Sequence, residues 1–188
     1  MWGKSKMTYL KDKYDFPVLD KGAFKTAFKN SYAEKSFKPK IIIKGLTLLD
    51  GCIDLEGQVV PGKSTLVICK PKGHEQELYF PLALVNSKLA MFYIKEKYRG
   101  SSYNQGINFN TDMLNNLPVP EINNRSISKI VSIIEEILSF KKDGLESAKL
   151  EEALNKTLYK IYNLTFDEVI QIDSDFSLSE AEYQAIEI

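Results

Sequence analysis

The chain has 188 residues, 44% of them hydrophobic and 27% charged, with 25 Lys and Arg balancing 25 Asp and Glu; this suffices for one globular domain, or one with a small helical appendage. No apolar run approaches the ~20 residues that span a membrane, and Lys4, Lys6, Lys11 and Lys13 interrupt the amino end before a signal-peptide core can form, so a cytoplasmic protein is expected. Cys52 and Cys69 lie seventeen positions apart with no CxxC pair, and His74 is the single histidine, so no structural metal site is expected.

The zero net charge conceals a split. Residues 1–120 hold 18 Lys and Arg against 11 Asp and Glu, a net of +7, whereas residues 121–188 hold 7 against 14, a net of −7. The bland reading of the acidic part is a solvated helical face; the sharper one is a basic portion facing an anion and an acidic portion facing something else.

In chain order, the first pattern is Phe24, Lys25, Phe28, Lys29 and Tyr32, whose i, i+4, i+8 aromatics read as a helix face in the core, with base stacking as the alternative. Lys40–Lys44 (KIIIK) is a β-branched run bounded by Lys-Pro and Gly45 and reads as a strand. Cys52–Leu55 alternates apolar and polar before a turn at Gly57, and Thr65–Cys69 (TLVIC) is another strand, stopped by Pro71. His74, between Gly73 and Glu75, reads as a surface turn residue. From Leu78 to Tyr98 the apolar residues recur at three and four positions, so an amphipathic helix is expected, with Asn86-Ser87 as a helix start or a polar interruption.

Beyond residue 120 the pattern is helical. One stripe runs through Ile127, Ile130, Val131, Ile134, Ile137 and Leu138 to Lys141-Lys142 and Gly144, and a second through Leu150, Leu154, Leu158 and Ile161. Thr165 with Glu168, and Ser179 with Glu182, have capping-box spacing, so two short terminal helices are expected. The expected fold is α+β: a small mixed or antiparallel sheet with helices over residues 1–120, then an antiparallel helical hairpin and terminal helices over 121–188.

GQVVPGKS (Gly57–Ser64) matches the phosphate-binding pattern G-x-x-x-x-G-K-[ST] in full. That chemistry needs a helix after the loop, aiming its positive end at the phosphates. Here Thr-Leu-Val-Ile-Cys-Lys-Pro follows, which favours a strand. Gly57 suits one turn, and Val60-Pro61-Gly62-Lys63 fits a type II turn with Gly62 at positive φ, so the match reads as two reversals of a β-meander. An NTPase is therefore the weakest reading. No Asp/Glu-x-Lys nuclease pattern, Asn-Pro-Pro tripeptide or nucleophile elbow occurs either.

Four stretches are more specific. SFKPKIIIKGL (Ser36–Leu46), CIDLEGQ (Cys52–Gln58), PLALVNSKLAMFYIKEKYRG (Pro81–Gly100) and LNNLPVPEI (Leu114–Ile122) follow in that order. Together with LYKIYNLTFDEVIQID (Leu158–Asp173), they resemble the TaqI-like C-terminal specificity domain, the target-recognition part of adenine-specific DNA methyltransferases and fused type II restriction-modification enzymes. The resemblance covers about residues 36–173; residues 1–35 carry none of it. It implies a module that reads double-stranded DNA without catalysing a reaction or holding a cofactor, as the carboxy-terminal piece of a larger enzyme. Its partner would be the methyltransferase or endonuclease domain of the parent enzyme, with S-adenosylmethionine bound in the parent's catalytic domain. A stand-alone specificity subunit or a protein-interaction module is the alternative.

Candidate contacts follow from physical chemistry. Arg99, Ser101, Ser102, Asn104 and Gln105 lie in the Gly-bounded loop YRGSSYNQG, and Arg pairs bidentately with guanine, Asn or Gln with adenine. Lys40, Lys44, Lys63, Ser64, Lys70 and Lys72 flank the strands as candidate phosphate contacts.

Overall fold

The computed structural model describes residues 20–28, 31–47, 49–62, 64–99, 102–103 and 106–188. Two short helices, α1 (Lys21–Ala27) and α2 (Ser31–Ser36), lead into β1 (Lys40–Lys44), β2 (Leu46–Thr47), β3 (Gly51–Asp54) and β4 (Thr65–Cys69). A 3-10 turn, Glu75–Leu78, opens onto α3 (Tyr79–Val85) and α4 (Lys88–Lys97); β5 (Ser102–Tyr103), β6 (Gly106–Asn108) and α5 (Thr111–Asn115) follow. The remainder is α6 (Asn124–Lys142), α7 (Ala148–Ile161), α8 (Phe166–Ile172) and α9 (Glu180–Gln184). The fold is α+β, as expected.

β1 is the centre of an antiparallel sheet of order β3-β1-β4. Its register sets Ile41 beside Ile53 and Ile68, and Ile43 beside Gly51 and Leu66, on the face that meets the helices. Ile42 lies beside Cys52 and Val67 on the other face, where Val59 packs on it. Both faces are covered, which explains why β1 is a continuous apolar run rather than an alternating one. A smaller antiparallel sheet, β2-β6-β5, branches off immediately after Gly45.

The expected long helix over Leu78–Tyr98 is interrupted at Asn86-Ser87. Ser87 is extended and accepts the Ala90 N–H, so it caps a new helix. The Asn86 amide group pairs with both backbone groups of Gly51, taking its N–H at 3.0 Å and donating to its carbonyl at 2.9 Å. Gly51 is required there because a Cβ would stand 2.8 Å from Val85 Cγ2.

α6 starts on the Asn123 cap and ends in a Schellman motif: Gly144 is at φ 72°, and the Leu145 N–H reaches the Phe140 carbonyl at 2.8 Å. α6 packs on α7 and α3, and α4 packs on α7. Consequently Ile41, Ile43 and Ile53 share one core with Ile130, Ile134, Ile137, Leu154 and Leu158, across residue 120. Both capping boxes form, on Thr165 with Glu168 and on Ser179 with Glu182. Tyr159, Val169 and Tyr183 close a second cluster beneath α8 and α9.

Candidate nucleic-acid interface

The four ordered stretches fasten the fold together. Lys40 is 0% exposed, and its ammonium is paired with Asp54 and donates to the Ser36 carbonyl at 2.8 Å. Asp54 also accepts the Gln58 N–H at 3.0 Å and the Val59 N–H at 2.8 Å, which closes the DLEG turn. Gly57 within that turn has φ 66°, and a Cβ there would meet the Phe37 carbonyl oxygen at 2.4 Å. Farther on, Lys88 donates its N–H to Asn155 on α7 and its ammonium to the buried Asp173, against which the Tyr159 hydroxyl also rests. Burial and the Asp173 carboxylate both push the Tyr159 hydroxyl far above its ordinary pKa. The LNNLPVPEI stretch is held by Tyr93, donating to the Asn116 carbonyl, and by Tyr162, donating to the Pro118 carbonyl at 2.7 Å. Burial raises Tyr162 to about 12.

Lys40 is therefore corrected from a phosphate contact to a core residue. Its side chain projects from the Ile42 face of β1, which α2 and the Gln58–Val59 loop cover, so no DNA phosphate reaches it. Lys63, Ser101, Asn104 and Gln105 lie outside the described residues, as does Lys29 of the aromatic pattern. The remaining candidates divide between the two ends of β4, an edge strand that is half-buried along its length.

Gly45 joins three of the candidate stretches at one end. Its N–H donates to the Ser64 carbonyl at 3.1 Å, and its own carbonyl accepts the Phe109 N–H at 2.9 Å just past β6. A Cβ on Gly45 would sit 2.4 Å from the Ser64 carbonyl oxygen, so only glycine permits this approach. The joint sets half-buried Lys44, exposed Ser64 and the β5–β6 hairpin, which includes Ser102, on one corner. Arg99 precedes the hairpin, exposed and paired with Glu96.

Lys70 and Lys72 lie past the opposite end of β4. Lys70 is engaged with Glu77, and Lys72 is exposed. Hydrogen bonds from Lys70 and then His74 hold the Glu77 carboxyl below its usual range. Four residue steps of strand, ~13 Å, separate the two ends. A single phosphate cannot engage both, whereas a DNA strand rising ~3.4 Å per phosphate can run along them.

The GQVVPGKST stretch runs into β4, so the helix that phosphate-binding chemistry needs after the loop is replaced by a strand. Its second reversal differs from the expected type II turn. The Thr65 N–H and hydroxyl both donate to the Gly62 carbonyl, at 3.1 and 2.6 Å, and Gly62 is outside the positive-φ region, so the turn spans Gly62 to Thr65.

The amino-terminal aromatics do not form one core face. Phe24 is buried, but α1 ends at Ala27, the capping Phe28 is 49% exposed, and Tyr32 on α2 is 40% exposed. Neither exposure is legible in the spacing, because it depends on where α1 stops. Among the described residues, no group of three or more His, Cys, Asp or Glu comes together that could hold a metal ion, and no helix is long and apolar enough to cross a membrane. No family model matches the chain.

Proposed function

We propose that the chain is a DNA target-recognition module of an adenine-specific methyltransferase or restriction-modification enzyme, without catalysis or a cofactor of its own. The observation that carries this reading is the ordered set of four motifs, from Ser36–Leu46 to Leu114–Ile122. The +7 balance of residues 1–120 supports it, because sequence-independent attraction to phosphates supplies much of any protein's DNA affinity. Lys44 and Ser64 contribute phosphate contacts, and the hairpin beside them reads base edges. S-adenosylmethionine would bind to the parent's catalytic domain.

Lys44→Glu combined with Ser64→Glu tests the corner. Duplex affinity at low salt should fall about tenfold or more while the melting temperature stays near that of the wild type. Unchanged duplex affinity in the double variant would contradict the assignment. A second reading, a protein-docking module, is favoured by a groove of about 540 Å³ whose lining includes Leu89, Phe92 and Tyr93 of α4 and Leu164 and Ile172. On that reading the double variant retains whatever the chain binds.

A further inference from the structure

We infer that the aromatic patch formed by Phe24, Phe28, Tyr32 and Phe37 is a stacking platform for unpaired bases of single-stranded DNA, with the neighbouring lysines holding the strand's phosphates. This goes beyond duplex reading and rests on the DNA-recognition role proposed above.

The four rings form one contiguous cluster. Phe24 lies 4.8 Å from Phe28, 5.7 Å from Tyr32 and 5.7 Å from Phe37, centroid to centroid, and Phe28 lies 5.6 Å from Tyr32. The inner ring, Phe24, is 7% exposed and anchors the cluster, while the outer rings of Phe28 and Tyr32 open to solvent. Two large exposed rings side by side exceed what a scattered surface residue explains.

Charge selects the ligand class. Residues 20–38 contain five lysines against only Asp20 and Glu34. The ammonium groups of Lys21 and Lys25 are held 4.7 and 5.4 Å from the Phe37 centroid, at the rim of the patch. Exposed aromatic faces within a cationic rim are the two components with which proteins bind single strands: bases stack on the rings, and lysines track the backbone. Stacking tolerates any sequence because every base has a π-face. The position also fits the proposed interface, since the Tyr32 hydroxyl donates to the Pro61 carbonyl at 2.6 Å, on the loop that leads to Ser64 and the Gly45 corner. A strand leaving a duplex at that corner meets the patch next.

The test is fluorescence anisotropy with the full chain, using a labelled oligothymidylate and a labelled duplex at low salt, and polyglutamate as competitor. Oligothymidylate should bind, and Phe28→Ala and Tyr32→Ala should each weaken it about tenfold. Tyr32→Phe should retain binding, and Phe28→Leu, which keeps apolar volume without the ring, should behave like Phe28→Ala. Lys21→Ala and Lys25→Ala should flatten the salt dependence. Unchanged melting temperatures establish that the variants are folded. The platform is overturned if oligothymidylate does not bind, if Phe28→Leu binds like the wild type, or if polyglutamate displaces the strand as an equal ligand. A chain that binds duplex but not oligothymidylate loses the platform and keeps the duplex reading. Binding of oligothymidylate through these rings without duplex binding keeps the platform and overturns the duplex reading.

Discussion

Lys40 and Asp54 form an ion pair that water barely reaches, with side chains 0% and 6% exposed. Taking two charges out of water costs several kcal/mol each, so such a pair persists only where further hydrogen bonds complete it. Here two backbone groups complete each partner. Lys40 has two carbonyls besides its partner, Ser36 and Lys38, whereas Asp54 holds the ammonium and the two N–H groups of the DLEG turn. Asp54→Ala therefore leaves two backbone N–H groups without an acceptor and the buried ammonium without its counter-charge, and should destabilise the chain by ~3–5 kcal/mol, as breaking a buried pair does. Lys40→Met leaves Asp54 with both backbone donors and should cost less. Urea denaturation of the two variants checks the order, and equal midpoints would contradict it. Nothing local announces this pair: within KIIIK, Lys40 has the letters of a solvated strand end, and only the pairing of β1 with β3 sets it opposite Asp54.

At the scale of elements, what could be read from the sequence was what depends on near neighbours. The strands Lys40–Lys44 and Thr65–Cys69 and both capping boxes fall where their residues indicate, because β-branched runs and three-residue caps are decided within one turn or strand. The break at Asn86 was only half legible, since the group that draws Asn86 out of the helix is the Gly51 backbone, 35 residues away. The turn after Val60 shifted because Thr65 supplies both its N–H and its hydroxyl to Gly62.

The capping boxes also carry a pH dependence. Glu168 is held below its usual pKa by the Thr165 backbone and then its hydroxyl, and Glu182 by the Ser179 hydroxyl and then its backbone. A carboxylate whose folded pKa is depressed adds stability above its unfolded value, ~4.3, and loses it as pH falls through the folded value. Thermal melting between pH 6 and 3 should show a shallower acid decline for Glu168→Gln with Glu182→Gln than for the wild type. Parallel declines would contradict the assignment.

Across the whole molecule, one core ties the basic portion to the acidic helices, through Lys88 with Asn155 and Asp173 and through the shared isoleucines and leucines. The candidate contacts then stand at two ends of one edge strand, with Lys44, Ser64 and the hairpin brought together by Gly45 and Lys72 at the far end. The sequence supplied the residue types of this surface, including Ser64 and Lys72, but not its geometry, since Gly45 matters only through its approach to the Ser64 carbonyl oxygen. Selection from a randomised duplex pool by the full chain at low salt reads out sequence recognition itself. A DNA target-recognition module should enrich one recurring sequence, with retention that declines steeply as salt is raised. Recovery of no duplex, or of duplexes without a common sequence, would contradict it.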